Sequence, residues 1–172
     1  EVVLLRELGF RLLVIFQHNN NKSSTFENWK TRGPEDAARC LELSGIFGQP
    51  ENSAIYFGVD GDFFGNIPGY PATHLSEEIF GYFDEILNTF SRLNAKYKVG
   101  VYGGGACINA LKKRSLVDFR WLSHSHGFVG SKNAFLAGEY EIEQYLPGQC
   151  GGRSIDFNNF RSESSVVGDF SL

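Results

Sequence analysis

Six short strand-like runs, each stopping on polar side chains and most of them separated by a helix-length stretch, restrict what this chain can fold into. They are residues 10–16, 54–59, 98–102, 119–122, 140–145 and 154–157. The first, from Phe10 to Phe16, is almost continuously apolar, as expected for a parallel strand buried on both faces. Strands alternating with helices define an α/β protein with a mostly parallel sheet. Two architectures compete for this pattern. A doubly wound sheet binds its ligand at a switch point and usually carries a glycine-rich phosphate loop after its first strand. No such loop follows Phe16. An eight-stranded barrel instead sets polar residues at the C-terminal ends of many strands. Gln17, Asp60, Asp62, Tyr102, the 123–126 stretch, Gln144 and Asp156 stand in those places. The expected fold is a (β/α) TIM-type barrel, incomplete, with about six of the eight strands and the N-terminal βα units missing.

The intervening stretches read as helices. Pro34 suits a first helical position, with Glu35 and Asp36 in the positive first turn. The helix carries Ala37, Ala38, Leu41 and Leu43 and ends near Gly45 or Gly48. Before it, residues 17–32 read as a polar loop long enough to be functional. From Ser76 as N-cap, Ile79, Phe80, Phe83, Ile86, Leu87, Phe90 and Leu93 recur at three- and four-residue spacing, which predicts a strongly amphipathic helix. Residues 106–113 form a shorter one that finishes on basic side chains. The opening residues, 1–9, read as the last turns of a helix closed by glycine. The chain is therefore expected to be one domain over residues 1–172, a piece that begins inside a helix. A barrel short of two strands has open sheet edges, which soluble proteins cover. A preceding segment or a partner chain is expected to complete it.

Composition removes several function classes. The formal charge of −4 offers no basic footprint for nucleic acid. No apolar run approaches the roughly 18 residues of a membrane span. The 16 Phe and 7 Tyr are mostly core, although aromatic side chains at loop tips also suit sugar faces. Three cysteines are too few and too widely spaced for a disulfide scaffold or a zinc cluster. Cys40 reads as a small buried helix residue, and a single Cys107–Cys150 bridge stays open. Nothing in the sequence calls for a cofactor.

The sharpest motif is Tyr56-Phe57-Gly58-Val59-Asp60-Gly61-Asp62. Two carboxylates one residue apart at a strand tip project the same way if the strand stays extended. Confined together they would hold one proton between them, giving an acid beside an anion. Glycoside hydrolysis needs that division of labour. The blander alternative is a loop start with Asp60 capping amides and Asp62 in water. Asp156, in Ile155-Asp156-Phe157-Asn158, would close the same pocket from the far side of the barrel, or be a plain turn residue. In Glu141-Ile142-Glu143-Gln144-Tyr145, strand alternation sets Gln144 apart from Glu141, Glu143 and Tyr145, so Gln144 can face the pocket while Tyr145 is equally a core residue. Gly103-Gly104-Gly105 lacks the Lys-Ser/Thr of a phosphate loop and reads as a connection. His124 and His126 form an H-x-H pair able to bind a divalent metal with Asp60 or Asp156, but no third histidine has suitable spacing, so no metal is expected. His18 and His74 fall in loops.

These blocks, in order, are residues 10–17, Ala54 to Asp62, Val99 to Gly103, Trp121-Leu122, Glu143-Gln144-Tyr145 and Ile155 to Asn158. Together they resemble the glycoside-hydrolase-like domain of unknown function, a barrel family related to the family 25 lysozymes. The likeness runs from about Gly9 to Phe160. In the lysozyme relatives an Asp-x-Glu pair at one strand end and an Asp near the last strand line the catalytic pocket. The resemblance thus implies catalytic places for Asp60, Asp62 and Asp156, with Asp62 where the lysozymes keep a Glu. Their first-strand Asp has no counterpart in this sequence.

What the resemblance implies is a hydrolase of lysozyme or muramidase type, acting on peptidoglycan or a related amino-sugar polysaccharide. Secretion or surface display would go with it. Asp62 would protonate the leaving oxygen, Asp60 would stabilise the developing positive charge, and Gln17, Tyr102, Trp121, Gln144, Asn158 and Asp156 would hold the sugar. A carbohydrate-binding or interaction module that kept the pocket without catalysis is the alternative, favoured by the Asp in place of Glu. A metal-dependent hydrolase built on His124 and His126 is the third.

Overall fold

Chain order carries straight into the sheet. The computed structural model describes residues 2–19, 22–65, 75–162 and 166–171. Along them run α1 (Val2–Glu7), β1 (Val14–Phe16), α2 (Ser24–Glu27), α3 (Trp29–Phe47), β2 (Ala54–Val59), α4 (Ser76–Arg92), β3 (Lys98–Gly103), α5 (Gly105–Lys113), β4 (Phe119–Leu122), α6 (Ser131–Ala137), β5 (Ile142–Cys150) and β6 (Arg153–Phe160). The strands pair in the order β1-β2-β3-β4-β5-β6. The first five are mutually parallel and β6 is antiparallel to β5. The result is a curled half-barrel, an incomplete TIM-type barrel as the sequence pattern predicts.

Strand alternation divides two cores. Ile55, Phe57, Val59, Val99, Val101 and Leu122 point outward and are buried against Ile79, Phe83, Ile86 and Phe90 of α4 and Ile108 and Leu111 of α5. Ala54, Tyr56 and Ile142 point inward, joined by Val167 and packed with Leu13, Phe119 and Trp121. β2 is buried on both sides, which is why its sequence is an unbroken apolar run. Its inward Tyr56 sits edge-on to Trp121 and stacked on Phe119, with centroids 5.6 and 6.4 Å away. The Tyr56 hydroxyl donates to the Val167 carbonyl at 2.8 Å. Gly100 makes room for the ring: a Cβ there would lie 2.4 Å from it.

Several local expectations change. The apolar run from Phe10 yields a strand of only three residues, because Leu12 pairs antiparallel with Phe170 instead. β1 is also an edge, with Ile15 43% exposed, so its apolar residues do not report burial on both faces. Pro34 lies inside α3 rather than at its start, since residues 24–27 and 29–32 are already helical where a loop is predicted. The helix persists past Pro34 because it packs closely on α4 at Gly33, where a Cβ would come within 2.7 Å of the Glu85 Cβ. Leu75, not Ser76, occupies the N-cap of α4. The predicted caps that hold are Gly9 and Gly48, both left-handed with φ of 74° and 67°. After α1 the Phe10 amide donates to the Leu5 carbonyl at 3.0 Å, a six-residue closure typical of a glycine-terminated helix.

The largest difference is at the C-terminal end. β5 runs to Cys150 and β6 is eight residues long, so the two form a hairpin, not another parallel unit. Gly151 and Gly152, at φ 57° and 76°, make its two-residue turn; positive φ at both central positions is the turn that matches strand twist. Cys150 is thereby exposed at the hairpin tip while Cys107 is buried in α5, and all three cysteines are free. The glycine run 103–105 is a close contact, since a Cβ on Gly105 would lie 2.4 Å from the Gly130 carbonyl oxygen. Ser131 Oγ accepts the Gly105 amide at 2.9 Å.

Replacing Gly100 by Ala should drive a methyl into the Tyr56 ring and destabilise the fold by about 1–3 kcal/mol. Denaturant unfolding of Gly100→Ala checks this. An unchanged midpoint would contradict the packing of the inner layer.

Candidate functional site

The inner face of the half-barrel changes from apolar to polar toward the strand C-termini. On β2 the inward series is Ala54, Tyr56, Gly58 and then Asp60, just past the strand end. Beside it Gln17 follows β1 and lies over Gly58, where a Cβ would come within 3.1 Å of the Gln17 side chain. Gln17 Nε2 reaches toward Asp60 Oδ2 at 3.4 Å. Gly58 is therefore the residue that lets Gln17 cross the face; its signal in the sequence is a lone glycine within an apolar strand, which marks a close approach.

Two further hydrogen bonds skip a strand. The Tyr102 hydroxyl on β3 donates to Gln144 Oε1 on β5 at 2.8 Å, over β4. Trp121 Nε1 on β4 donates to Asn158 Oδ1 on β6 at 2.9 Å, over β5. The Tyr102 and Trp121 rings meet edge-to-face at 5.6 Å. Asn158 in turn donates to the Asp156 carbonyl at 3.1 Å. The His124 amide shares Gln144 Oε1, at 3.3 Å.

Tyr102 lies within electrostatic reach of two carboxylates. Burial, then the negative charges of Asp60 and Asp156, push its hydroxyl up to about 12. A phenolate there would sit in a half-buried place beside two carboxylates, so both causes act in one direction. Asp60 follows the second strand and Asp156 lies on the sixth, exposed on the hairpin; the curl of the sheet lets one tyrosine feel both.

Asp62 is placed differently. The chain turns after Val59, and both Asp62 oxygens accept the Val129 amide at 3.2 Å, tying the β2 loop to the segment between β4 and α6. The side chains therefore fall into two groups. Gln17 and Asp60, Tyr102 and Gln144, and Trp121 and Asn158 are joined pairwise on the inner face. Asp62 belongs to the loop junction.

The histidines take other roles. The His124 and His126 rings lie tilted against each other at 4.9 Å, and His126 lies 5.4 Å from the Phe135 ring. Among the described residues no three His, Cys, Asp or Glu side chains are gathered so as to hold a metal ion. His18 contacts Arg32 through Nε2 and Asp36 through Nδ1. His74 lies outside the described residues. Tyr145 is not core: it is exposed and stacked on Phe157 at 5.6 Å. No described helix is long and apolar enough to cross a membrane.

Comparison with known proteins places this arrangement. The model of the Rv2525c-like, glycoside hydrolase-like domain matches residues 1–158. Among solved structures, the Tat-secreted protein Rv2525c of Mycobacterium tuberculosis, in complex with L-tartrate, superposes with a TM-score of 0.73 at 18% identity, covering 96% of this chain and 74% of that one. An uncharacterized B. stearothermophilus protein gives 0.61 at 13% identity, covering 98% and 78%. These likenesses concern the fold. In sequence, the uncharacterized Bacillus subtilis proteins YbfG and FadG are 26% and 28% identical, over 90% and 84% of this chain. The chain spans only 21% and 24% of their lengths.

Asp62→Ala should free the Val129 amide and cost about 1 kcal/mol. Amide exchange at residues 128–130 should accelerate while the inner-layer amides of β2 keep their protection. Unchanged exchange at Val129 would show that the carboxylate does not anchor the loop.

Proposed function

We propose, from the premise that this chain belongs to the Rv2525c-like, glycoside hydrolase-like family, that its concave strand-end face takes an amino-sugar glycan of the cell-wall kind and cleaves it. The observation that carries this reading is the Tyr102–Gln144 hydrogen bond on the inner face, with Asp60 held by Gln17 beside it. Around that point lie the Trp121 ring and the amides of Gln17, Gln144 and Asn158. A carboxylate-flanked aromatic floor with several side-chain amides suits a sugar: rings stack on its apolar face and amides bond its hydroxyls.

In the hydrolytic reading an acid delivers a proton to the glycosidic oxygen as the bond breaks, and an anion steadies the oxocarbenium-like carbon. Asp60 supplies the anion, and Tyr102, Gln144 and Asp156 orient the sugar. Asp62 is assigned the proton delivery, which requires it to leave the Val129 amide that it accepts. Secretion of this chain's parent protein is part of the same reading, supported by the Tat-secreted relative. The exposed edge of β1 supports completion of the sheet by a further segment or a second chain.

A second reading is favoured by one observation. Asp62 already accepts the Val129 amide with both oxygens. If that bond persists with glycan bound, the face binds without cleaving. The two readings separate in one assay with peptidoglycan and chitin fragments. Cleavage that falls by about a hundredfold or more in both Asp60→Asn and Asp62→Asn is the expected result. Binding without turnover, lost in Asp60→Asn and kept in Asp62→Asn, would establish the binding module instead. No binding and no turnover with any glycan would remove both.

A further inference from the structure

Behind the strand-end face, a carboxylate is buried where two helices pack. Asp36 on α3 is 3% exposed. Its Oδ2 accepts the Tyr82 hydroxyl of α4 at 2.9 Å. Tyr82 is itself held edge-on to Phe26 and Phe57, with centroids 5.4 and 6.3 Å away. Among the described residues no Lys or Arg forms an ion pair with Asp36. Burial accordingly holds its carboxyl above the ordinary value, against the Tyr82 bond and the charges of Arg32 and a protonated His18. A helix seam alone does not call for such a group, because an apolar side chain of similar size packs there without the desolvation cost.

The second oxygen shows where the carboxylate acts. Asp36 Oδ1 lies 3.7 Å from His18 Nδ1, an electrostatic contact rather than a full hydrogen bond. The opposite ring nitrogen, Nε2, meets the Arg32 guanidinium. Arginine only donates, so Nε2 accepts and the ring proton belongs on Nδ1, toward Asp36. Arg32 and Asp36 are four residues apart and share one face of α3. Glu35 accepts from Arg32 at 2.7 Å and aims the guanidinium. Both neighbours of the imidazole therefore select the same tautomer.

What they hold is the start of the site. His18 follows Gln17, and neighbours in an extended chain point to opposite faces. Gln17 crosses inward over Gly58, while His18 turns outward to α3. The contact from Gln17 to Asp60, at 3.4 Å, is at the long end of the hydrogen-bond range and does not fix the segment by itself. The strand ladder does not fix it either, since β1 stops at Phe16 and is paired on one side only.

We propose that Asp36 is a positioning residue for the strand-end face: with Arg32 it fixes the His18 tautomer, and the fixed imidazole sets Gln17 against Asp60. The role concerns the Gln17–Asp60 contact alone, so it stands whether or not the face cleaves a glycan.

The test is NMR on the full chain at about pH 8, above the ordinary histidine range. It reads the His18 ring nitrogens and the Gln17 side-chain amide, assigned with His18→Ala and Gln17→Ala. The His18 proton is expected on Nδ1, and the Gln17 amide signal should shift when Asp60→Asn alters its partner. Asp36→Asn keeps an acceptor for Tyr82 but removes the charge. The Nε2–H tautomer should then appear, and the Asp60-dependent shift of Gln17 should be lost. His18→Ala should abolish that shift as well, and adding Asp36→Asn to it should change nothing further, as for residues that act in series. A His18 tautomer untouched by Asp36→Asn, a Gln17 amide untouched by His18→Ala, or full additivity of the two would overturn the assignment. Should Asp36→Asn fail to fold, the other two readings decide: a His18 proton on Nε2, or a Gln17 amide indifferent to His18→Ala, sinks it.

Discussion

Neighbouring strands lie about 4.8 Å apart, so a side chain reaches the next strand but one only where the sheet curls toward it. Two hydrogen bonds depend on that curl here, Tyr102 to Gln144 over β4 and Trp121 to Asn158 over β5. They would not form on a flat sheet. The concavity is sustained from below by the Tyr56 ring, wedged among Phe119, Trp121 and the space left by Gly100. From the outside it is sustained by the apolar faces of α4 and α5. A packed inner layer thus carries the polar layer above it. The positions of Asp60 and Asp156 follow from that stacking and not from any direct bond between them.

The hairpin is the other part of the design. Ending the sheet with an antiparallel strand returns the chain along β5 without a helix or a further parallel unit. The turn at Gly151-Gly152 fixes the register as far as Pro147 and Asp156, and a one-residue shift between Gln144 and Pro147 then sets Asn158 opposite Gln144. Pro147 lies at the irregularity between residues 144 and 147, where a missing amide is tolerated. Tyr145, Leu146, Phe157 and Phe160 are exposed on this hairpin.

Much of this was readable before the fold was known, for definite physical reasons. Residues 54–59 and 119–122 are strands at the predicted bounds, because a strand buried on both faces and a strand ended by polar residues both leave strong local patterns. The inward side of Gln144 followed from alternation alone. What could not be read were the terms set by distant residues. Leu12 pairs with Phe170 across almost the whole chain, and this shortens β1 in a way no local window contains. Asp62 looked like Asp60's twin because alternation assumes an extended strand, and the chain turns first. The His124–His126 spacing allowed a metal pair without requiring one; the two rings lie tilted against each other, and His126 also lies tilted against Phe135. The glycines at 58 and 100 carried real information, since each marks a place where another side chain crosses the inner face.

The proposal that Asp60 and Asp156 share one face at Tyr102 is most directly tested by titrating that phenol, observed through its ring carbon in ¹³C-tyrosine NMR and assigned with Tyr102→Phe. Ionisation is expected near 12, raised first by burial and then by the two carboxylates. Removing either charge makes the phenolate easier to form, so Asp60→Asn and Asp156→Asn should each lower the midpoint, and the double variant should lower it further. None should restore an ordinary tyrosine value, because burial remains. A midpoint indifferent to Asp156→Asn would mean that the sixth strand does not bring its carboxylate to the second strand's, and the shared sugar-binding face would fall with it.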